Sequence, residues 1–484
     1  MSNARNRPLI QPPGRFDRLK SGPARWATLV AFASLIGVAL HLTLRPPLIP
    51  VQNLDHPESL DPQVRSHLDE ILALARTQPR DSSIRATLGI ACAANGLWTE
   101  ARQAFLDTGR LSPGEPLAPL YAAVALQELS DTAGALKEFR SLVARFPDFA
   151  PGWYRVGEAS LRAGELEAAE TAFQRLTQLA PAEWRGPAGL GEIRVRQGRA
   201  TDAVPLLERA ISLDRSSKPA QYLLGQAYRA VGRTNEARIA IAAGTGEARQ
   251  PMPDPWGDAA PNHVRALPDL LVQADGLSTT GRPDLAVQLL KQAVPFHPGH
   301  AGLLNQLAVA LNRSGKAAQA LPILNRLITQ DLRAVAPRIT RVYTHDLMGN
   351  AAAGLQDAHE AIQLAPRLSQ AHLALADSLL ALERDAEAVA ALEEAAKCDP
   401  GNAEIHVELG EILWRNLSNK AAALTHLRQA IDLNPALVRA YGLLGQLEME
   451  LGGREAARQA AMVLRQLAPD SQDRIELERV LARP

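Results

Sequence analysis

The sequence predicts an all-α protein: a solenoid of about eleven helix–turn–helix units, preceded by a single transmembrane helix. Three observations predict it. Pro79, Pro113, Pro147 and Pro181 are each 34 apart, as are Ala101, Ala135, Ala169, Ala203 and Ala237, and Gly164, Gly198 and Gly232. Fixed spacing in three residue classes is the signature of a repeat array. Apolar residues make up 46% of the chain and aromatics only 4%, so Ala and Leu must fill the core, which favours close-packed helices over a β-sandwich. The third observation is an uncharged stretch, Trp26 to Leu44, near the amino terminus.

Residues 1–25 carry Arg5, Arg7, Arg15, Arg18, Lys20 and Arg25 against Asp17 alone. With Arg45 set apart, the remainder holds 45 bases against 51 acids. The zero net charge is therefore a basic tail offset by a mildly acidic body. It offers no clustered positive charge of the kind a phosphate backbone requires, so nucleic acid is not expected as a partner. At about 1.5 Å per residue, residues 26–44 make a helix of roughly 28 Å, close to the ~30 Å hydrocarbon thickness. Bases precede it, so the tail is expected in the cytoplasm and the body across the membrane, most simply from a bacterial inner membrane into the periplasm. A cleaved signal peptide is the rival, with an apolar region of about 7–15 residues and a small-x-small site. The pattern Ala31-Phe32-Ala33 falls inside the stretch, so an uncleaved signal-anchor is favoured. His41 reads as a near-interface residue rather than a proton relay. Residues 45–61, with Pro46, Pro47, Pro50 and Pro57, read as a semi-rigid spacer that lifts the body off the bilayer.

Within the repeating unit each residue class has a mechanical reason. Glycine ends the first helix, where a left-handed residue costs least. Alanine sits early in the second helix, where the two helices approach closely. Proline follows the second helix because it cannot continue one. Each unit is amphipathic but cannot close a core alone, so neighbours stack.

This pattern resembles the tetratricopeptide repeat. Residues 150–183 match best, with Trp153, Gly157, Gly164, Ala169, Phe173 and Pro181. Residues 82–115 supply Leu88, Gly89, Gly96, Ala101, Phe105 and Pro113, and residues 218–244 supply Leu224, Gly225, Tyr228, Gly232 and Ala237. The resemblance implies a right-handed superhelix. Its expected parts are a capping helix plus five repeats over 62–250, a Pro-rich insert over 251–266, six repeats over 267–470, and a capping helix over 471–484. The insert is where the register slips: Ala237 to Ala286 is 49 residues, after which Gly281, Gly315 and Gly349 resume the interval. Residues 335–368 form the weakest unit, with Gly354 and Ala358 in its second helix.

Catalytic patterns are sparse, and no enzyme activity or cofactor is expected. Gly189-Leu190-Gly191 lacks the third glycine of a dinucleotide loop and lies in a helix; Gly315-Lys316 lacks the flanking residues of a phosphate loop. His297 and His300 are the only close histidine pair, with no cysteine or carboxylate near them in sequence, so no metal site is expected. Cys92 and Cys398 lie in the first and ninth units and read as buried apolar residues. The triplets at Asn312 and Asn416 fit glycosylation acceptors, which matter only in a eukaryotic secretory lumen.

What the resemblance does imply is binding of a protein or peptide along the concave face, lined by the first helix of each unit. Carried over residue by residue, that face presents Tyr154, Glu158, Arg162, Arg185, Glu192, Arg196, Tyr222, Gln226 and Arg229. Tyrosine and arginine carry binding energy when desolvated. The family's Lys/Asn clamp for a carboxyl terminus is absent, since Tyr154, Glu158, Ala188 and Glu192 stand there. In the second half Asn305, Asn312, Arg313, Tyr343, Asp346, Trp414 and Arg415 correspond, with no single-sign stripe. Trp256 of the insert reads as an exposed anchor or as a plug over the fifth repeat. The sequence thus points to a membrane-anchored interaction scaffold of an envelope complex, or alternatively to an accessory subunit of an envelope enzyme, transporter or electron-transport complex.

Overall fold

The computed structural model describes residues 47–245 and 251–482. The basic tail and the expected anchor at 26–44 lie outside the described residues. Among the described residues no helix is long and apolar enough to cross a membrane. They form 25 α-helices and two short 3-10 helices, with no strand.

A helix at Pro62–Thr77 precedes five helix pairs. Repeats one and two are Ser82–Ala94 with Trp98–Leu111, and Leu117–Glu128 with Thr132–Arg145. Repeats three and four are Ala150–Ala163 with Leu166–Leu179, and Arg185–Arg196 with Ala200–Leu213. Repeat five is Lys218–Ala230 with Thr234–Gly244. Six further pairs run from Leu267–Thr279 to Arg454–Leu467, and Gln472–Leu481 follows them.

The glycines between paired helices do what their spacing requires. Gly96, Gly164, Gly198, Gly232, Gly281, Gly315, Gly349 and Gly452 all have φ between 72 and 82°. Ser130, Glu383 and Ser418 hold the same left-handed turn at φ 68, 57 and 54°, a conformation that strains an L side chain. The early alanines of the second helices, such as Ala101, Ala169, Ala203, Ala286 and Ala320, are wholly buried. Large residues one turn further in, Phe105, Phe139, Phe173 and Leu207, are buried with them. In the weak eighth unit, Gly354 stands where an alanine is the rule. A Cβ there would come 2.6 Å from Asp346 Oδ1 and 2.8 Å from Ser378 Oγ. The glycine makes room for a polar contact, in which Ser378 donates to the Asp346 carboxylate at 3.1 and 3.0 Å.

The described part of the expected spacer is fastened to the body rather than standing off it. Leu54 is buried, and Arg76 donates to Asn53 Oδ1 at 2.7 Å. Arg85, itself fully buried, donates to the Ile49 carbonyl and pairs with Asp107 at 3.7 Å. Proline gives this segment its extended shape, and the buried guanidinium needs its carbonyl, so it docks.

After repeat five the chain turns back. Pro251 lies against repeat four, where Arg185 donates to its carbonyl at 2.9 Å. Asp254 reaches repeat two, and His263 and Arg265 reach repeat one through Asn95. The second array therefore begins beside the start of the first, with His297 Nε2 3.2 Å from Asp61. At the other end, Arg238 of repeat five lies 3.6 Å from Asp432. A cavity of about 280 Å³ is shared by repeat five and Gln466 and Leu467 of repeat eleven. The two arrays start together and end together, joined by a strap that runs the length of the first.

Candidate functional site: the concave face

The first helix of each repeat faces inward, so one side chain per turn from each repeat lines the curve. In repeats three and four these residues are used by the chain itself. Tyr154, Glu158, Arg185 and Glu192, expected to face a partner, are buried at 5%, 8%, 7% and 5% exposure. For Tyr154 and Arg185 the insert is the physical reason, while Glu192 is held by Arg196. Met252 packs on the cluster containing Tyr154, Phe173 and Ile193. Arg185 is held four ways: to Glu183 at 2.6 Å, to the Pro251 carbonyl, and 4.6 and 5.9 Å from the ring centres of Trp184 and Tyr154. Such a desolvated guanidinium fork orients whatever carbonyl it meets.

Arg162 and Arg196 stay in water and brace neighbouring repeats. Arg162 donates to Gln127 Oε1 at 2.7 Å. Arg196 donates to Glu192 at 3.0 and 2.7 Å and to the Leu161 carbonyl at 2.9 Å. Beyond the insert the face is open. Glu192, Val195, Arg196, Tyr222, Leu223 and Gln226 surround a cavity of about 410 Å³ across repeats four and five. Tyr222 is 40% exposed there, and Arg229 is also exposed.

Trp256 is neither an exposed anchor nor a plug over the fifth repeat. Its ring centre lies 5.5 Å from those of Phe105 and Tyr121, in repeats one and two. Tyr121 donates its hydroxyl to the Asp254 carboxylate at 3.0 and 2.9 Å. Burial and that carboxylate push the phenol well above its ordinary range, so it remains a donor. Asn95 holds three backbone groups of the strap. Its amide N–H donates to the His263 carbonyl at 2.8 Å, and its oxygen accepts from Arg265 N and Ala266 N at 2.7 and 2.9 Å. His67 stands 3.0 Å from His263. Burial, Arg265 and His263 lower the His67 pKa to about 4, and burial with Arg265 lowers that of His263. Sequence reading singled out none of Asn95, Tyr121 or His67. Their partners are 133 to 196 residues away, and no local pattern marks them.

In the second array Asn312 turns inward, donating to Thr344 Oγ1 at 2.9 Å, and Trp414 donates to Glu450 at 3.0 Å. Arg313 and Arg415 pair with Asp275 and Glu411. Asn305 is half-buried. A stripe of one sign is nevertheless present. Desolvation raises Asp346; desolvation and Asp346 push Asp377 up to about 6; desolvation and Asp377 push Glu408 up to about 7. Tyr343 hydrogen-bonds Asp377 from the same wall. These acids recur every 31 residues, one turn short of the 34-residue unit, and that offset signal could have found them. From sequence, Asp346 alone of the three was named on this face, with no stripe.

His297 and His300 serve separate tasks: His300 Nδ1 accepts from Leu303 N at 3.1 Å as a helix cap, while His297 faces Asp61. Cys92 is buried, and burial with Glu100 pushes its thiol up to about 12. Cys398 is only partly buried.

Three stretches match family models described as tetratricopeptide repeat, at residues 122–183, 194–256 and 369–412. None of the curated proteins matches. Among solved structures, pilF of Pseudomonas aeruginosa is 18% identical, over 44% of this chain and 96% of that chain, with a TM-score of 0.36. Yeast Tom70 is 12% identical over 83% of this chain and 94% of its own, at 0.39. YrrB, described as a TPR protein with an unusual peptide-binding site, is 16% identical over 39% and 97%, at 0.31. The family resemblance in this chain rests on the three matched stretches and on the period itself.

Proposed function

For a chain built of tetratricopeptide repeats, we propose the role of a non-catalytic scaffold that binds a protein partner along its concave face. The observation that carries this reading is the open part of that face at repeats four and five. There a cavity of about 410 Å³ is rimmed by an exposed tyrosine and by an arginine braced on the buried Glu192 carboxylate. Aromatic area and a forked cation at a concave centre are what interface hot spots are made of. The scaffold is tethered by residues 26–44 with its body on the extracytoplasmic side, a proposal supported by the charge asymmetry around that stretch.

Binding is tested by affinity capture with the full chain and with Arg196→Glu and Arg229→Glu. Loss of the same captured protein in both variants is expected, and its undiminished retention in both would overturn the site. Topology is tested by a reporter active only outside the cytosol, fused after Pro484; a silent reporter refutes the orientation.

A further inference from the structure

The strap and the groove beneath it meet as ligand and site. Joining repeat five to repeat six needs only a short turn, as every other junction shows. Instead the chain travels back across four repeats, antiparallel to the array, and each repeat supplies a contact. Arg185 takes a carbonyl, the Tyr154 cluster takes Met252, Tyr121 takes a carboxylate, and Asn95 takes three backbone groups. Main-chain hydrogen bonds that give affinity, with separate slots for side chains that give specificity, are how peptide segments are recognised. The strap itself is shallow. Neither its helix Pro255–Ala259 nor its 3-10 turn Ala260–His263 contains a buried residue, whereas the flanking repeat helices each bury several. Segments with so little burial open at low cost compared with the array under them.

We propose that the groove of repeats one to four is a peptide-binding site whose resident ligand is the chain's own segment 251–266. The partner it accepts in exchange is a proline-rich segment that turns into a short helix after its acid, with a carboxylate two residues ahead of a tryptophan, as in Asp254-Pro255-Trp256. Arg185 and Asn95 hold its backbone, and Tyr121 and Phe105 select the acid and the ring. A tethered ligand competes at an effective concentration on the order of millimolar, so a partner gains the groove only when it binds tightly or is presented locally. This deepens the scaffold reading and rests on it, adding a second docking surface with its own gate.

The probe is a fluorescein-labelled peptide of residues 250–266, titrated by anisotropy into the full chain and into Trp256→Ala. If the strap vacates the groove in about one molecule in ten or fewer, the wild type binds the peptide about tenfold or more weakly than the variant. The same peptide with Asp254 and Trp256 replaced by alanine should bind neither. Equal affinity for wild type and variant overturns the proposal, as does absent binding to a variant of unchanged helicity. Should Trp256→Ala lose helicity, Asp254→Asn, which weakens the Tyr121 contact while leaving the tryptophan ring in place, serves instead with the same two outcomes. A wild type that instead forms dimers by exchanging straps names a second copy as occupant and overturns the assigned partner. The assay uses a defined peptide at repeats one to four, while capture reads Arg196 and Arg229 at repeats four and five. Either reading can therefore fail alone.

Discussion

Gly189→Ala puts the closeness of adjacent repeats to a quantitative test. An alanine Cβ at 189 would stand 2.6 Å from two ring carbons of Phe173, and one at 157 would stand 2.7 Å from the same ring. Both glycines face the Cε1–Cζ edge, so the ring tip is wedged between the first helices of repeats three and four. Apolar carbons settle at about 3.5–4.0 Å, so the ring or a helix has to yield by roughly 1 Å. Phe173 has no exposed surface and no room to retreat. A shift this large at a ring with no room to yield lies in the upper part of the overpacking range, about 2–3 kcal/mol, and the helix propensity gained over glycine offsets about 1 kcal/mol, leaving a net loss of about 1–2 kcal/mol. Urea unfolding followed by circular dichroism measures the loss, and hydrogen exchange localises it to repeats three and four, since long arrays unfold in segments. Phe173→Leu shortens the wedge, so the Gly189→Ala penalty should largely vanish in that background, a coupling of about 1 kcal/mol or more. A Gly189→Ala protein as stable as the parent, or a penalty that persists unchanged once Phe173→Leu has removed the ring, refutes the reasoning.

Three further outcomes are expected. Glu383→Gly should stabilise by about 0.5–1 kcal/mol, because relief of a left-handed side chain outweighs the added freedom of the unfolded glycine, and Gly232→Ala should lose a similar amount; melting temperatures decide. Because the folded-state pKa values of His67 and His263 lie below the ordinary histidine value, the unfolded chain binds more protons than the folded one between about pH 4 and 6.5. Stability at the strap's end therefore falls as pH drops through that window, visible as lower protection of amides 260–266, relative to their intrinsic exchange rates, at pH 5 than at pH 7, and His67→Gln should flatten the difference. Asp377 behaves oppositely. Its raised pKa means that stability present at low pH is lost as pH rises from about 4 through about 6, so Asp377→Asn should raise the melting temperature at pH 8 and far less at pH 4.

The period was legible because each of its residue types answers a demand that recurs in every unit. A glycine every 34 residues marks a left-handed turn, and an alanine marks two helices in contact. Ser130, Glu383 and Ser418 show the limit of that logic, since the stacked helices impose the turn whatever residue occupies it. The strap was visible as a proline-rich break in register, but its path was not. Contacts such as Asn95 with Arg265 join residues 170 apart, and neither end carries a repeating signature. The groove residues were named from a fixed set of positions in the first helix of each repeat. That rule located Arg196, Tyr222 and Gln226 around the open cavity, yet it had no means of showing that Tyr154 and Arg185 already hold Met252 and Pro251. It named Asp346 but not Asp377 or Glu408, because side chains on adjacent helices meet one turn out of register.

Chain order gives the strap a place in time. Repeats one to four are complete once Leu213 has been made, whereas the segment that covers them ends at Ala266. At about 5–20 residues per second, synthesis leaves several seconds in which a finished groove precedes its own cover. During that interval the nascent protein offers Asn95, Tyr121 and Arg185 to any suitable segment nearby, and afterwards the same surface is contested by an occupant born from the same message.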